Sequence, residues 1–186
     1  IGGVYSKKQA TYKDAVDYFM RAYKLSLLIK DDYSIGTSAG NLGEIYYKMG
    51  NDSTALVYLK ECTKAYDGTA DLPYALNLIG KVYTRQKNYE AAINNHNKAY
   101  ELSKKFDTRL DMTQALIGLA QAYYAKGEIV SAIKAYKESV DEAISMNAID
   151  EKKDAYEGLA KAYAGLSDYY SAYQYQQLLL DVKDSI

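Results

Sequence analysis

Small and apolar residues fall three or four apart along most of the chain, as in Ala39, Leu42, Gly43 and Tyr46 or Leu76, Ile79, Gly80 and Tyr83. That spacing stripes one face of a helix. Short polar runs break the stripes, for example Lys48-Met49-Gly50-Asn51-Asp52 and Ala125-Lys126-Gly127-Glu128. Helix-start chemistry stands at Asp71 before Leu72-Pro73, and at Asp111. The pattern predicts helices near 7–30, 33–49, 53–67, 71–86, 89–105, 109–126, 129–147, 150–166 and 169–184.

The stripes repeat. Asn41-Leu42-Gly43-Glu44-Ile45-Tyr46 aligns with Leu78-Ile79-Gly80-Lys81-Val82-Tyr83, with Gly118-Leu119-Ala120-Gln121-Ala122-Tyr123 and with Gly158-Leu159-Ala160-Lys161-Ala162-Tyr163. The small residues at 43, 80, 120 and 160 are separated by 37, 40 and 40 positions. Nine residues after each of these tyrosines stands an alanine (Ala55, Ala92, Ala132, Ala172), with the same three steps. Two markers in lockstep define an array of helix pairs. Its predicted units are 33–69, 70–108, 109–148 and 149–186, preceded by a partial repeat over 1–32 whose trace is Gly2-Gly3-Val4-Tyr5 and Ala15. The small positions are expected to let two helix backbones approach closely, with Leu and Tyr interlocking around them.

These residues resemble the tetratricopeptide repeat. Its leading large position corresponds to Ala39, Leu76, Leu116 and Tyr156, and its aromatic position to Phe19, Leu59, His96, Tyr136 and Gln176. Its last small position corresponds to Ala22, Cys62, Ala99, Ser139 and Leu179. Gln176 and Leu179 depart from the pattern and put the packing of the last helix in question. The resemblance implies an all-α, right-handed α-solenoid with a concave inner face.

Composition narrows the function classes. The 186 residues carry 23 basic and 24 acidic side chains, so no cationic surplus exists to displace phosphate counterions. Nucleic acid is therefore not expected as a partner, nor is a polybasic membrane surface. No apolar stretch reaches a membrane-spanning length and no signal-peptide pattern opens the chain, so a soluble domain, cytoplasmic or periplasmic, is expected. One proline favours helix throughout, and 22 tyrosines supply apolar bulk with a polar tip.

Candidate chemistry is sparse. His96, the only histidine, sits at a packing position and lacks the companions of a metal site; Cys62, the only cysteine, sits where a small buried side chain is wanted. Asp31-Asp32 and Asp141-Glu142 read as solvated charges at helix ends, and no phosphate-cradling glycine motif is present. The reading is a non-enzyme with no cofactor and no metal.

The remaining surface is the groove that the resemblance assigns to the first helix of each pair. Its positions are Thr37, Gly40, Glu44 and Tyr47, then Tyr74, Asn77, Lys81 and Thr84; Gln114, Ile117, Gln121 and Tyr124 follow, and then Asp154, Glu157, Lys161 and Ala164. From these, Glu44, Tyr47, Tyr74, Asn77, Lys81, Gln114, Gln121, Tyr124, Glu157 and Lys161 are the candidate partner-binding residues. The carboxylate clamp of some family members is not matched, because Asn77 and Lys81 stand in reverse order and Glu44 opposes them. The expected partner is a protein or peptide. Tyrosine-rich long repeats ending in Lys183-Asp184-Ser185-Ile186 resemble the regulatory regions of bacterial signalling proteins. The alternatives are a small-peptide receptor of the quorum-sensing type, or a homodimer formed through terminal repeats, where Phe19, Leu178, Leu179, Leu180 and Val182 lack a covering helix.

Overall fold

A computed structural model describes residues 11–184. The described residues form helices α1 (Tyr12–Ile29), α2 (Asp32–Lys48), α3 (Asp52–Ala65), α4 (Leu72–Arg85), α5 (Tyr89–Phe106), α6 (Arg109–Lys126), α7 (Ile129–Ser145), α8 (Ile149–Gly165) and α9 (Tyr169–Asp184), and no strand. Each predicted helix with both ends described is present within two residues. The start expected at 7, and the Gly2-Gly3-Val4-Tyr5 trace, lie outside the described residues.

Each helix packs on its chain neighbours, and α2, α4, α6 and α8 also touch in succession, skipping the helix between. That is the contact pattern of a helical repeat array, whose core is distributed along its length. The marker alanines Ala55, Ala92 and Ala132 are fully buried, as are Leu42 and Leu159. Ala172, in the last pair, is only partly covered.

Turns repeat in the same register. Gly50, Lys87, Gly127 and Ser167 all have positive φ, at 79°, 61°, 92° and 61°. The residue after each caps the next helix: Asn51 accepts from Thr54 N (3.2 Å), Asn88 from Ala91 N (3.3 Å) and Asp168 from Ser171 N (3.1 Å). Glu128, in the fourth such place, makes no capping bond and instead meets Lys126 at 2.7 Å.

The expectation that backbones meet at the small positions needs correction at Gly43 and Gly80, where the glycine makes room chiefly for a side chain. A Cβ at Gly80 would lie 2.4 Å from His96 Nε2, and one at Gly118, in the following pair, 2.2 Å from His96 Cε1. Tyr136 likewise overlies Gly158 of the following pair, where a Cβ would come within 2.1 Å of Cζ. Leu59 presses on Gly43, with a would-be Cβ 2.5 Å from Cγ, and on its other side it packs with Leu78. Leu78, Gly118 and Gly158 hold equivalent positions, so the residue in front shrinks to glycine where the inserted side chain is a ring. Complementary volumes of this kind keep the interior at close packing.

The last helix is held by a residue the pattern did not single out. Tyr175 stacks on Tyr163 (5.6 Å between ring centres, 8° between planes) and meets Tyr156 at 6.1 Å. Leu179 is buried in the same cluster, with Val182 against it, so these two are covered by their own pair; Leu178 and Leu180 remain exposed. Gln176 faces outward beside Leu179.

Candidate functional site

The successive contacts of α2, α4, α6 and α8 carry the candidate residues on one run of helices. Polar side chains stitch the run together. Tyr74 on α4 donates its hydroxyl to Glu44 Oε2 on α2 (3.2 Å), and Glu44 also holds Lys48 at 2.7 Å. Burial, and then the charge of Glu44, push the Tyr74 hydroxyl well above the usual phenol range, so it stays a donor. Gln114 on α6 donates from Nε2 to Glu151 Oε1 on α8 (3.1 Å). Tyr47 lies under the Arg85 guanidinium, 3.9 Å from its ring centre, while Arg85 pairs with Asp52.

Asn77 leaves the set of accessible residues. It is 2 % exposed. Its Nδ2 donates to the Asp111 carbonyl (3.1 Å), which turns its Oδ1 toward His96 Nδ1 (3.1 Å). The imidazole therefore donates from Nδ1 and keeps Nε2 as an unprotonated nitrogen, packed against Gly80 without a hydrogen-bond partner. Burial, assisted by the Lys81 charge, pushes His96 down to about 3. This histidine is a neutral interior group with its one N–H committed. Cys62 is also fully buried, and its thiol is pushed up to about 12 by burial and by Asp71. Among the described residues, no group of three or more His, Cys, Asp or Glu side chains is placed to hold a metal ion.

Four candidates meet in one cavity. Gln121 and Tyr124 of α6, together with Glu157 and Lys161 of α8, line a space of about 420 Å³ with Asp154, Gly158 and Tyr136. Lys161 Nζ contacts Glu157 Oε1 at 2.5 Å, which holds the Glu157 carboxyl below its ordinary value. Asp154 forms no ion pair among the described residues. Loss of hydration raises its carboxyl, against the opposing charges of Lys153 and Lys81. Lys81 of α4 acts on the Asp154 charge but does not itself line this cavity. Tyr136 is 4 % exposed, and its hydroxyl makes no hydrogen bond among the described residues.

The sequence reading placed Asp154 on the groove face but not among the binding candidates, and read Tyr136 only as a packing aromatic. A signal for Tyr136 was available. The residue equivalent to Asn77 is Ile117, which offers the ring at 136 no polar partner of the kind His96 enjoys.

No described helix is long and apolar enough to cross a membrane. The fold is shared with the crystal structure of aspartyl phosphate phosphatase F from Bacillus subtilis, at a TM-score of 0.86 and 19% identity, over 99% of this chain and 49% of that one. In sequence, the chain is 27% identical over 146 residues to tetratricopeptide repeat protein 29 of Trypanosoma brucei brucei, covering 77% of this chain and 30% of that protein. It is 26% identical over 144 residues to response regulator aspartate phosphatase A of Bacillus subtilis, covering 74% of this chain and 38% of that protein. The chain thus spans 30% and 38% of the length of these two relatives. Two family profiles described as tetratricopeptide repeat match residues 71–141 and 36–66, together more than half of the sequence. The chain belongs to the tetratricopeptide repeat family.

Proposed function

We propose that the array is a non-catalytic interaction scaffold that takes a peptide, or an extended segment of a protein partner, along the face of α2, α4, α6 and α8. The observation that carries this reading is the cavity between α6 and α8, where Gln121, Tyr124, Glu157 and Lys161 converge. A few placed polar groups beside aromatic surface suit recognition of an extended chain. The likeness to a bacterial response regulator phosphatase supports a place in a larger signalling protein, with binding to the array biasing another part of that protein. A small-peptide receptor is the second reading. It is favoured by the same likeness and by a cavity of side-chain size rather than a broad flat surface.

A displayed library of random dodecapeptides, selected on the 186-residue chain, tests the reading. Selected peptides are expected to lose about tenfold in affinity to the Gln121→Ala/Tyr124→Ala double variant, a change of about 1.4 kcal/mol. They should be unaffected by Glu101→Ala or Lys134→Ala, which lie on a separate surface formed by α5, α6 and α7. Equal loss at both surfaces, or no selected peptide at all, would overturn it.

A further inference from the structure

Within the cavity of about 420 Å³ between α6 and α8, one polar group has no hydrogen-bond partner among the described residues. The Tyr136 side chain is more than nine-tenths buried, and its phenol end lies over Gly158, with the hydroxyl oxygen 2.6 Å from where a Cβ would stand. Tyr136 lines the cavity, and no group among the described residues bonds to its hydroxyl. At the equivalent place one repeat earlier, the ring nitrogen of His96 is matched by Asn77 inside the protein. Tyr136 has Ile117 there instead, so its polar tip can be satisfied only from the cavity side.

The charges around the hydroxyl decide the sign of what it would meet. Lys161 is taken by Glu157 at 2.5 Å, and Lys153, next to Asp154, is taken by Asp150 at 3.1 Å. Lys81 acts on Asp154 from α4 but forms no ion pair with it. Among the described residues, the Asp154 carboxylate is therefore the charge in the cavity wall without an ion-pair partner, in a wall that also holds Tyr124 and the amide of Gln121. A carboxylate, a phenol oxygen, an amide and an aromatic face together suit a planar cation with several N–H donors. A lone ammonium would use fewer of them.

We infer that this cavity is a side-chain subsite for an arginine of the bound segment, with Asp154 taking the guanidinium charge, the Tyr136 oxygen accepting an N–H and Tyr124 covering the plane. The inference rests on the groove reading above and adds to it the chemistry of one ligand position.

The test uses single residues as probes, so that it does not depend on the rest of the groove. N-acetyl-arginine amide is titrated into the isotopically labelled chain by amide NMR, beside the neutral isostere N-acetyl-citrulline amide and the anionic N-acetyl-glutamate amide. The arginine probe is expected to shift the amides of Gln121, Tyr124, Glu157 and Gly158 saturably, with citrulline at least about tenfold weaker. Asp154→Asn, a change at an exposed side chain, should remove that preference, and Tyr136→Phe, which keeps the ring, should weaken arginine a few-fold with an unchanged melting temperature. Equal binding of arginine and citrulline, preference for glutamate, an arginine response that survives Asp154→Asn, or no saturable response would overturn the subsite. If peptides selected on the groove lack arginine and the titration shows no arginine preference, the subsite fails while the groove reading stands. A saturable arginine response with no selected dodecapeptide fails the groove reading and with it the assignment to a bound segment, while the cavity's preference for a guanidinium stands.

Discussion

His96 shows how one residue can be structural and titratable at once. Its Nδ1 proton is committed to Asn77, while Nε2 is buried without a partner, so a second proton would create an ion that nothing solvates. In the unfolded chain the same ring titrates near its ordinary value of about 6.5; in the fold it holds out to about 3. Between those values the unfolded state binds the extra proton. Stability contributed by this site is therefore complete above the unfolded value and falls as pH drops toward the folded one, with a limiting slope of about 1.4 kcal/mol per pH unit. Urea midpoints measured from about pH 7 down to about pH 4 should show His96→Gln losing stability less steeply than the parent by that amount. Matching slopes for the two proteins would rule the mechanism out.

At the scale of elements, the turns carry a cost that the chain meets in some repeats and not in others. Gly50 and Gly127 take positive φ freely, whereas Lys87 and Ser167 hold the same conformation with a Cβ. Lys87 is exposed and its backbone N–H bonds to the Thr84 carbonyl, a bond that glycine keeps. Lys87→Gly should raise stability by about 0.5–1 kcal/mol, the relief of the left-handed strain less the added freedom of the unfolded chain. A thermal melt that falls instead would place the strain elsewhere. The same register explains why the helices were legible in advance. Turn residues, markers and apolar stripes all step together by 37, 40 and 40, so each repeat corroborates the others. The packing partners were less legible. Asn77 has the polarity of a groove residue, but its interior bond to His96 joins positions 19 residues apart, which no local period reports. The role of Tyr136 was legible only through the Ile117 exchange, since its contact with Gly158 joins two different helices. The hold on α9 came from Tyr175, one residue before the expected aromatic position.

For the whole molecule, the core is a series of interfaces rather than one centre, and stability is then approximately a sum of neighbouring terms. The two ends differ from the middle. Tyr169 and Tyr173 stand 70% and 62% exposed at one end, and Phe19 lines an open apolar trough with Ile29 and Tyr33 at the other. Between them, the insertion of each second-helix side chain against the next first helix acts as a lock and ward: Leu59 with Leu78, His96 with Gly118, Tyr136 with Gly158. Such wards record the order of the repeats. Excising residues 109–148 would seat His96 before Gly158, a glycine as in the parent, and the shortened array should still unfold cooperatively. Excising residues 70–108 would set Leu59 before Gly118 and leave a void, lowering stability further by about 2–5 kcal/mol. Equal denaturation midpoints for the two deletions would show that the wards do not matter. If they do, a gene of this kind can lose or copy some of its modules by recombination and not others, and the history of the array is constrained by the shapes of a few side chains.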